Sequence, residues 1–155
     1  MRFVRAIGLA VELGPLDAPG VLPGIALTAS GGLRIDEAAL AYPGDILHEA
    51  GHLAVLAPAA RATGGALVET AESAGDEMAA IAWSYAAALH LGIDPAVVFH
   101  PAGYRGGSAA ILENFACGRT FGVPLLAWYG MTREQPRRGP SDPGAYPVMR
   151  AWLRG

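Results

Sequence analysis

Two histidines four residues apart, His48 and His52, with Glu49 directly after the first, constrain this chain more than any other feature. On a helix, positions i and i+4 lie one above the other. Both imidazoles then face one point, where a single divalent ion can take them. Glu49 lies about 100° around the helix, at the edge of such a site, and reaches a metal-activated water without displacing it. This is the HExxH spacing, in which zinc supplies a Lewis acid and the glutamate a general base. With this histidine and glutamate content, random placement gives the pattern roughly once in two hundred such chains, so the flanking residues have to decide.

They favour a helix. Pro43, Gly44 and Asp45 make a good helix entry, with proline early and an acid near the positive end. Ile46, Ala50, Leu53 and Ala57 recur at helical spacing, and Pro58 ends the run. Gly51 is the exception, because a mid-helix glycine costs about 1 kcal/mol relative to alanine. A glycine between two ligands is explained if another backbone packs against the helix at that point.

A zinc site needs a third protein ligand. Cys117 is the only cysteine, which excludes a thiolate-rich structural site within one chain. The residues after His52 exclude a third histidine at the extended-motif position. Acids remain: Glu69, Glu72, Asp76 and Glu77 cluster at the start of a second helix predicted over 73–91, which Gly92 ends. Asp76 suits a capping role at N3 after Ser73. Glu72 with Asp76 at i+4 could place a ligand and its supporting acid on one face. Glu77 lies firmly inside the helix, on a face continued by Ile81, Ser84 and Ala88, whose small residues allow two helices to share an ion. Glu77 is the preferred ligand, with Glu72 and Asp76 as alternatives.

At this point the chain resembles a minimal bacterial zincin, similar to the ImmA/IrrE-type peptidases. In those, an HE-x-G-H helix is followed by a helix whose early glutamate is the third ligand, in an E-A-N-x-F-A context. The run Glu77-Met78-Ala79-Ala80-Ile81-Ala82 occupies that place, although the asparagine is absent. The resemblance covers about residues 43–91. It implies a zinc-dependent peptidase-like site with His48, His52 and Glu77 as ligands and Glu49 as base.

The remaining sequence bounds the setting. A chain of 155 residues is expected to form one domain, 1–155, with a real core. It is 52% hydrophobic and 16% charged, so either the core is large or some apolar surface meets a partner or a second copy of the chain. Net charge is −3, which leaves no global basic footprint for nucleic acid. All eleven basic residues are arginine, so Schiff-base chemistry and a P-loop are excluded. Arg133, Arg137 and Arg138 fall in a Pro/Gly-rich turn that reads as solvated surface. No secretory signal is recognised, and the apolar run 78–93 is too short for a membrane span and reads as a buried helix. A cytoplasmic location with Cys117 reduced and buried follows.

Turn and cap signals give the order of elements: a short helix over 1–7, strands over 9–13 and 24–29, and a return strand over 33–36 across Ser30-Gly31-Gly32. Short helices follow over 94–100, 108–117, 124–130 and 146–153. The expected class is α+β and zincin-like, with a small N-terminal sheet before a mostly helical remainder. Trp83, Tyr85, Trp128 and Trp152 read as core.

Beyond the motif, His100 and Tyr104 lie in a glycine-rich loop with Arg105. Both are candidate catalytic residues, donating a hydrogen bond to a developing oxyanion. His90, near a helix C-terminus, and Glu113-Asn114 are weaker candidates. Two functional classes emerge. One is a zinc hydrolase of narrow specificity acting on a peptide or protein substrate. The other is a non-catalytic metal-binding or protein-interaction module that keeps a zincin fold.

Overall fold

The computed structural model describes residues 1–63 and 74–155. It is a mixed α+β structure in which a three-stranded sheet precedes a mostly helical remainder. Helix α1 (Arg2–Ala6) leads into β1 (Val11–Leu13), β2 (Ile25–Leu27) and β3 (Leu33–Ile35). Strand β3 lies in the middle, parallel to β1 and antiparallel to β2. Its alternation decides the faces. Leu33 and Ile35 are fully buried, while Arg34 points outward and pairs with Glu12, its neighbour across the parallel ladder, at 2.9 Å. The expected return between β2 and β3 is present. The Thr28 amide bonds to the Gly32 carbonyl at 2.9 Å, and Gly31 takes φ +77°, which only glycine adopts freely.

Helix α2 (Asp45–Val55) carries the motif and is buried on almost every side. It stops earlier than expected. Leu56 is extended, and Pro58 does not end α2 but opens the next helix, α3 (Pro58–Ala62), where its missing N–H costs nothing. The end of α2 is held by Arg61, whose Nε donates to Leu53 O at 2.9 Å and whose Nη2 donates to Leu56 O at 2.8 Å. These are carbonyls the helix cannot satisfy internally.

Helix α4 (Ala74–His90) packs along α2. Ala79, Ala80, Ala82, Ala86, Ala87 and Ala88 are buried, which combines high helix propensity with side chains small enough for close approach. Gly51 sits at that approach: a Cβ there would lie 2.9 Å from Ala80 O and 3.0 Å from Ser84 Oγ. The expectation from the isolated glycine is met. Leu53 and Trp83 are fully buried at the same interface region, and burial of such a side chain contributes about 1.5–3 kcal/mol.

Helices α5 (Pro95–Val98), α6 (Ser108–Ala116) and α7 (Val123–Trp128) complete the helical part, with a 3₁₀ turn at Tyr104–Gly106 between the first two. Three expectations fail. The segment 146–153 is not a helix. Its amides are used elsewhere: Tyr146 N bonds to Arg133 O, and Arg150 N and Ala151 N to Met131 O. Its apolar periodicity reflects burial of Tyr146 and Trp152 against α4, where Tyr146 Oη donates to Ala82 O and Trp83 Nε1 donates to Trp152 O. Trp128 is 83% exposed, and Cys117 is exposed as well. Both lie two residues beyond a buried anchor, Leu126 and Phe115, and two helical steps turn a side chain to the far face. Among the described residues, no helix is long and apolar enough to cross a membrane.

Candidate metal centre

Helix α2 brings the two imidazoles together as the i, i+4 spacing requires. Their Nε2 atoms are 3.1 Å apart, with the rings edge to face at 4.5 Å between centroids. From the first turn of α4, Glu77 closes on the same point. Its Oε2 is 3.2 Å from His52 Nε2 and its Oε1 is 3.8 Å from His48 Nε2. Glu49 is buried beside them, and His48, Glu49 and His52 offer ligand atoms within 4.8 Å of one another. This group could hold a metal ion. The donor set is the first test of that. Four-coordinate zinc bonds at 2.0–2.2 Å hold their ligand atoms roughly 3.3 Å apart, close to the separations of 3.1 and 3.2 Å found here.

Protonation is the second test. Burial pushes the His48 pKa down to about 4, with His52 adding to the shift and Glu77 opposing it in part. His48 is therefore a neutral imidazole at neutral pH. The Glu77 carboxyl is held below its ordinary range, chiefly by its hydrogen bond to His52. A neutral imidazole and an ionised carboxylate are the forms a divalent ion requires. His48 Nδ1 has no hydrogen-bond partner among the described residues, so none of them fixes its tautomer through that atom.

The site opens into a cleft of about 440 Å³. Leu22 and Pro23, ahead of β2, form part of its wall, with Tyr42, Asp45, His48, Glu49 and Glu77 from the helix pair and its entry. The segment 99–107 contributes His100, Ala102, Gly103, Tyr104 and Arg105. Both predicted loop residues thus reach the cleft, but in different settings. Tyr104 lies edge to face on His48 at 5.1 Å, and its buried hydroxyl has no partner among the described residues. Burial and the nearby carboxylates of Glu77, Asp45 and Glu49 push its pKa up, so the phenol keeps its proton. His100 is engaged: its Nε2 is 2.9 Å from Asp45 Oδ1, both groups are buried, and its ring stacks on Tyr42 at 3.7 Å.

Asp45 lies in the first turn of its helix as expected, and it has a partner that the sequence did not reveal. As a first-turn acid it suits the helix dipole, but the fold turns it inward to His100. A histidine 55 residues away gives no local signal of that pairing. Among the described residues, His90, Glu113, Asn114 and Asp76 do not line the cleft. His90 packs on Phe3 and Trp152. Glu113 and Asn114 both bond to Arg119. Asp76 accepts a hydrogen bond from Tyr129 Oη at 3.1 Å, while Glu69 and Glu72 lie outside the described residues. No protein-family model matches the chain, and no curated protein or solved structure matches it either.

Proposed function

We propose that this protein is a zinc-dependent hydrolase of zincin type, acting on a peptide or amide bond with narrow specificity. The reading rests on one observation: two imidazole nitrogens and the Glu77 carboxylate converge on one point beside Glu49, at the mouth of a cleft that also holds a protonated phenol. His48, His52 and Glu77 would hold the ion. When bound, zinc supplies Lewis acidity and lowers the pKa of a water molecule toward neutrality. Glu49, at the edge of the ligand face, takes a proton from the attacking water and delivers it to the leaving amine. The Tyr104 hydroxyl donates to the oxygen on which negative charge develops. His100, with Nε2 engaged by Asp45, positions the segment that carries Tyr104. The resemblance of 43–91 to ImmA/IrrE-type peptidases supports the same assignment.

Metal analysis of untagged wild-type protein, His48→Ala and Glu77→Ala tests the ligands. Stoichiometric zinc lost in both variants is the expected result. Zinc lost only in His48→Ala would pass the third position to Glu72 or Asp76. Glu49→Gln should keep zinc and lose turnover by on the order of 10²-fold or more; equal turnover would end the hydrolase reading. A second reading, a non-catalytic metal-binding module, draws on the low exposure of His48 and His52, 12% and 9% of their side chains. It would be favoured by tight zinc binding with no cleavage of any peptide.

A further inference from the structure

Arg105 has no role in the chemistry proposed above, yet it lines the same cleft. It is exposed, and among the described residues its guanidinium makes no hydrogen bond or ion pair. It is also the only permanently cationic side chain among the described residues that line the cleft. Several other arginines are committed: Arg34 to Glu12, Arg61 to carbonyls at the end of α2, Arg119 to Glu113 and Arg133 to Asp142.

The backbone sets Arg105 there at a cost. Tyr104 and Arg105 take φ +53° and +52°, two consecutive non-glycine residues in the left-handed region. Each costs roughly 1–2 kcal/mol, and such strain persists only where surrounding contacts enforce it. The contacts are identifiable. Asp45 holds the His100 ring, and the His100 carbonyl accepts from Ser108 Oγ at 2.7 Å and from Gly103 N at 3.0 Å. This clamp fixes both ends of the turn, and Tyr104 and Arg105 both line the one cleft. Three carboxylates line the same cleft: Asp45 faces His100, Glu77 faces His48 and His52, and Glu49 is buried beside the two histidines.

We propose that Arg105 is a specificity determinant that binds a substrate carboxylate, so that the cleft takes peptides bearing a negative charge close to the scissile bond. The inference rests on the hydrolase reading for the word substrate, but the recognition itself is a binding event. A guanidinium matches a carboxylate with two parallel N–H···O bonds. That chemistry is supplied either by a free C-terminus or by an acidic side chain.

Four fluorescein-labelled heptapeptides of one apolar sequence distinguish the sources. They carry a free or amidated C-terminus and a central glutamate or glutamine, and binding is read by anisotropy on the zinc-loaded and metal-free full chain. One carboxylate-bearing peptide should bind on the order of tenfold tighter than its neutral twin. Arg105→Gln should abolish that difference and Arg105→Lys should retain part of it, while Arg138→Gln, removing an arginine of the exposed turn, should leave it intact. Equal binding of the twins to wild type, no binding of either, or a preference that survives Arg105→Gln would overturn the proposal. Cleavage of all four peptides alike would leave the hydrolase standing without this determinant. A carboxylate preference dependent on Arg105 with no cleavage would leave the determinant standing without the hydrolase.

Discussion

The α2–α4 pair and the segment 99–107 supply the same cleft, and they are held by different forces. The helix pair is a close contact: Gly51 against Ala80 and Ser84, with Leu53 and Trp83 fully buried nearby. Its two histidines are placed by helical repeat, and Glu77 is brought to them by the packing of the second helix. The loop is held by a few polar bonds of long sequence separation, above all Asp45 to His100, and it carries backbone strain at Tyr104 and Arg105. The pair sets where an ion can bind, and the loop sets which groups face it. A change in the first should therefore cost stability and metal together, and a change in the second should alter chemistry with the metal in place.

Gly51→Val puts that division under its strongest test. The added side chain has no space at the helix crossing, and overpacking of this kind costs roughly 3 kcal/mol. Thermal unfolding and zinc content should both fall; a folded variant with full zinc would show that the close approach does not position the ligands.

Acid should weaken the helix pair next. His48 has a folded pKa of about 4 against an ordinary 6.5, so the unfolded chain binds the proton first as pH falls below 6.5. The stability associated with the neutral ring is fully present above 6.5 and is lost as pH falls toward 4. For metal-free protein this amounts to about 2 kcal/mol between pH 7 and pH 5. The Glu77 carboxyl, with an ordinary value of 4.5 and a lower one in the fold, adds loss in the same direction only below that window. Denaturant titrations at the two pH values should show the drop in wild type and a shallower one in His48→Gln; identical slopes would remove His48 as the source.

For the loop, Asp45→Ala leaves the His100 nitrogen buried without its acceptor, which costs roughly 1–3 kcal/mol. Zinc content should stay at the wild-type level while turnover declines, and Asp45→Asn should recover most of both stability and rate. Loss of zinc in Asp45→Ala would mean that the two regions are not separable. Tyr104→Phe is expected to move stability least. Its hydroxyl is buried without a partner among the described residues, so removing it should leave thermal unfolding within about 0.5 kcal/mol or raise it slightly. Turnover should nonetheless fall about tenfold with unchanged zinc, read in steady-state kinetics. An unchanged rate would leave Tyr104 as a wall of the cleft only.

How much of this could be read ahead of the fold depends on the range of the interaction concerned. The i, i+4 histidines, the glutamate beside them and the small-residue face of α4 follow from periodicity within one element, and the helix crossing at Gly51 follows from a glycine that has no other reason to be there. The turn at Ser30-Gly31-Gly32 is equally local. Where two readings of one pattern differ only in what lies across from it, the residues are silent. The segment 146–153 has helical periodicity, yet it packs as an irregular strap because Met131 and Arg133 offer carbonyls to its amides. Trp128 and Cys117 are apolar, yet both are exposed, one at the last position of a short helix and the other just past the end of one.

The sequence by itself therefore determined the motif, the helix that displays it, the α+β order and the three short helices over 95–98, 108–116 and 123–128. These depend on spacing along one chain segment, where the helical repeat converts sequence distance directly into direction. Only the tertiary structure decided that Glu77 reaches the same point as His48 and His52, that Asp45 is a partner of His100, and that Tyr104 and Arg105 share a strained turn at the cleft. Each of these joins groups from separate elements. Such contacts form when burial brings the elements together, and no local pattern encodes which pairs will meet.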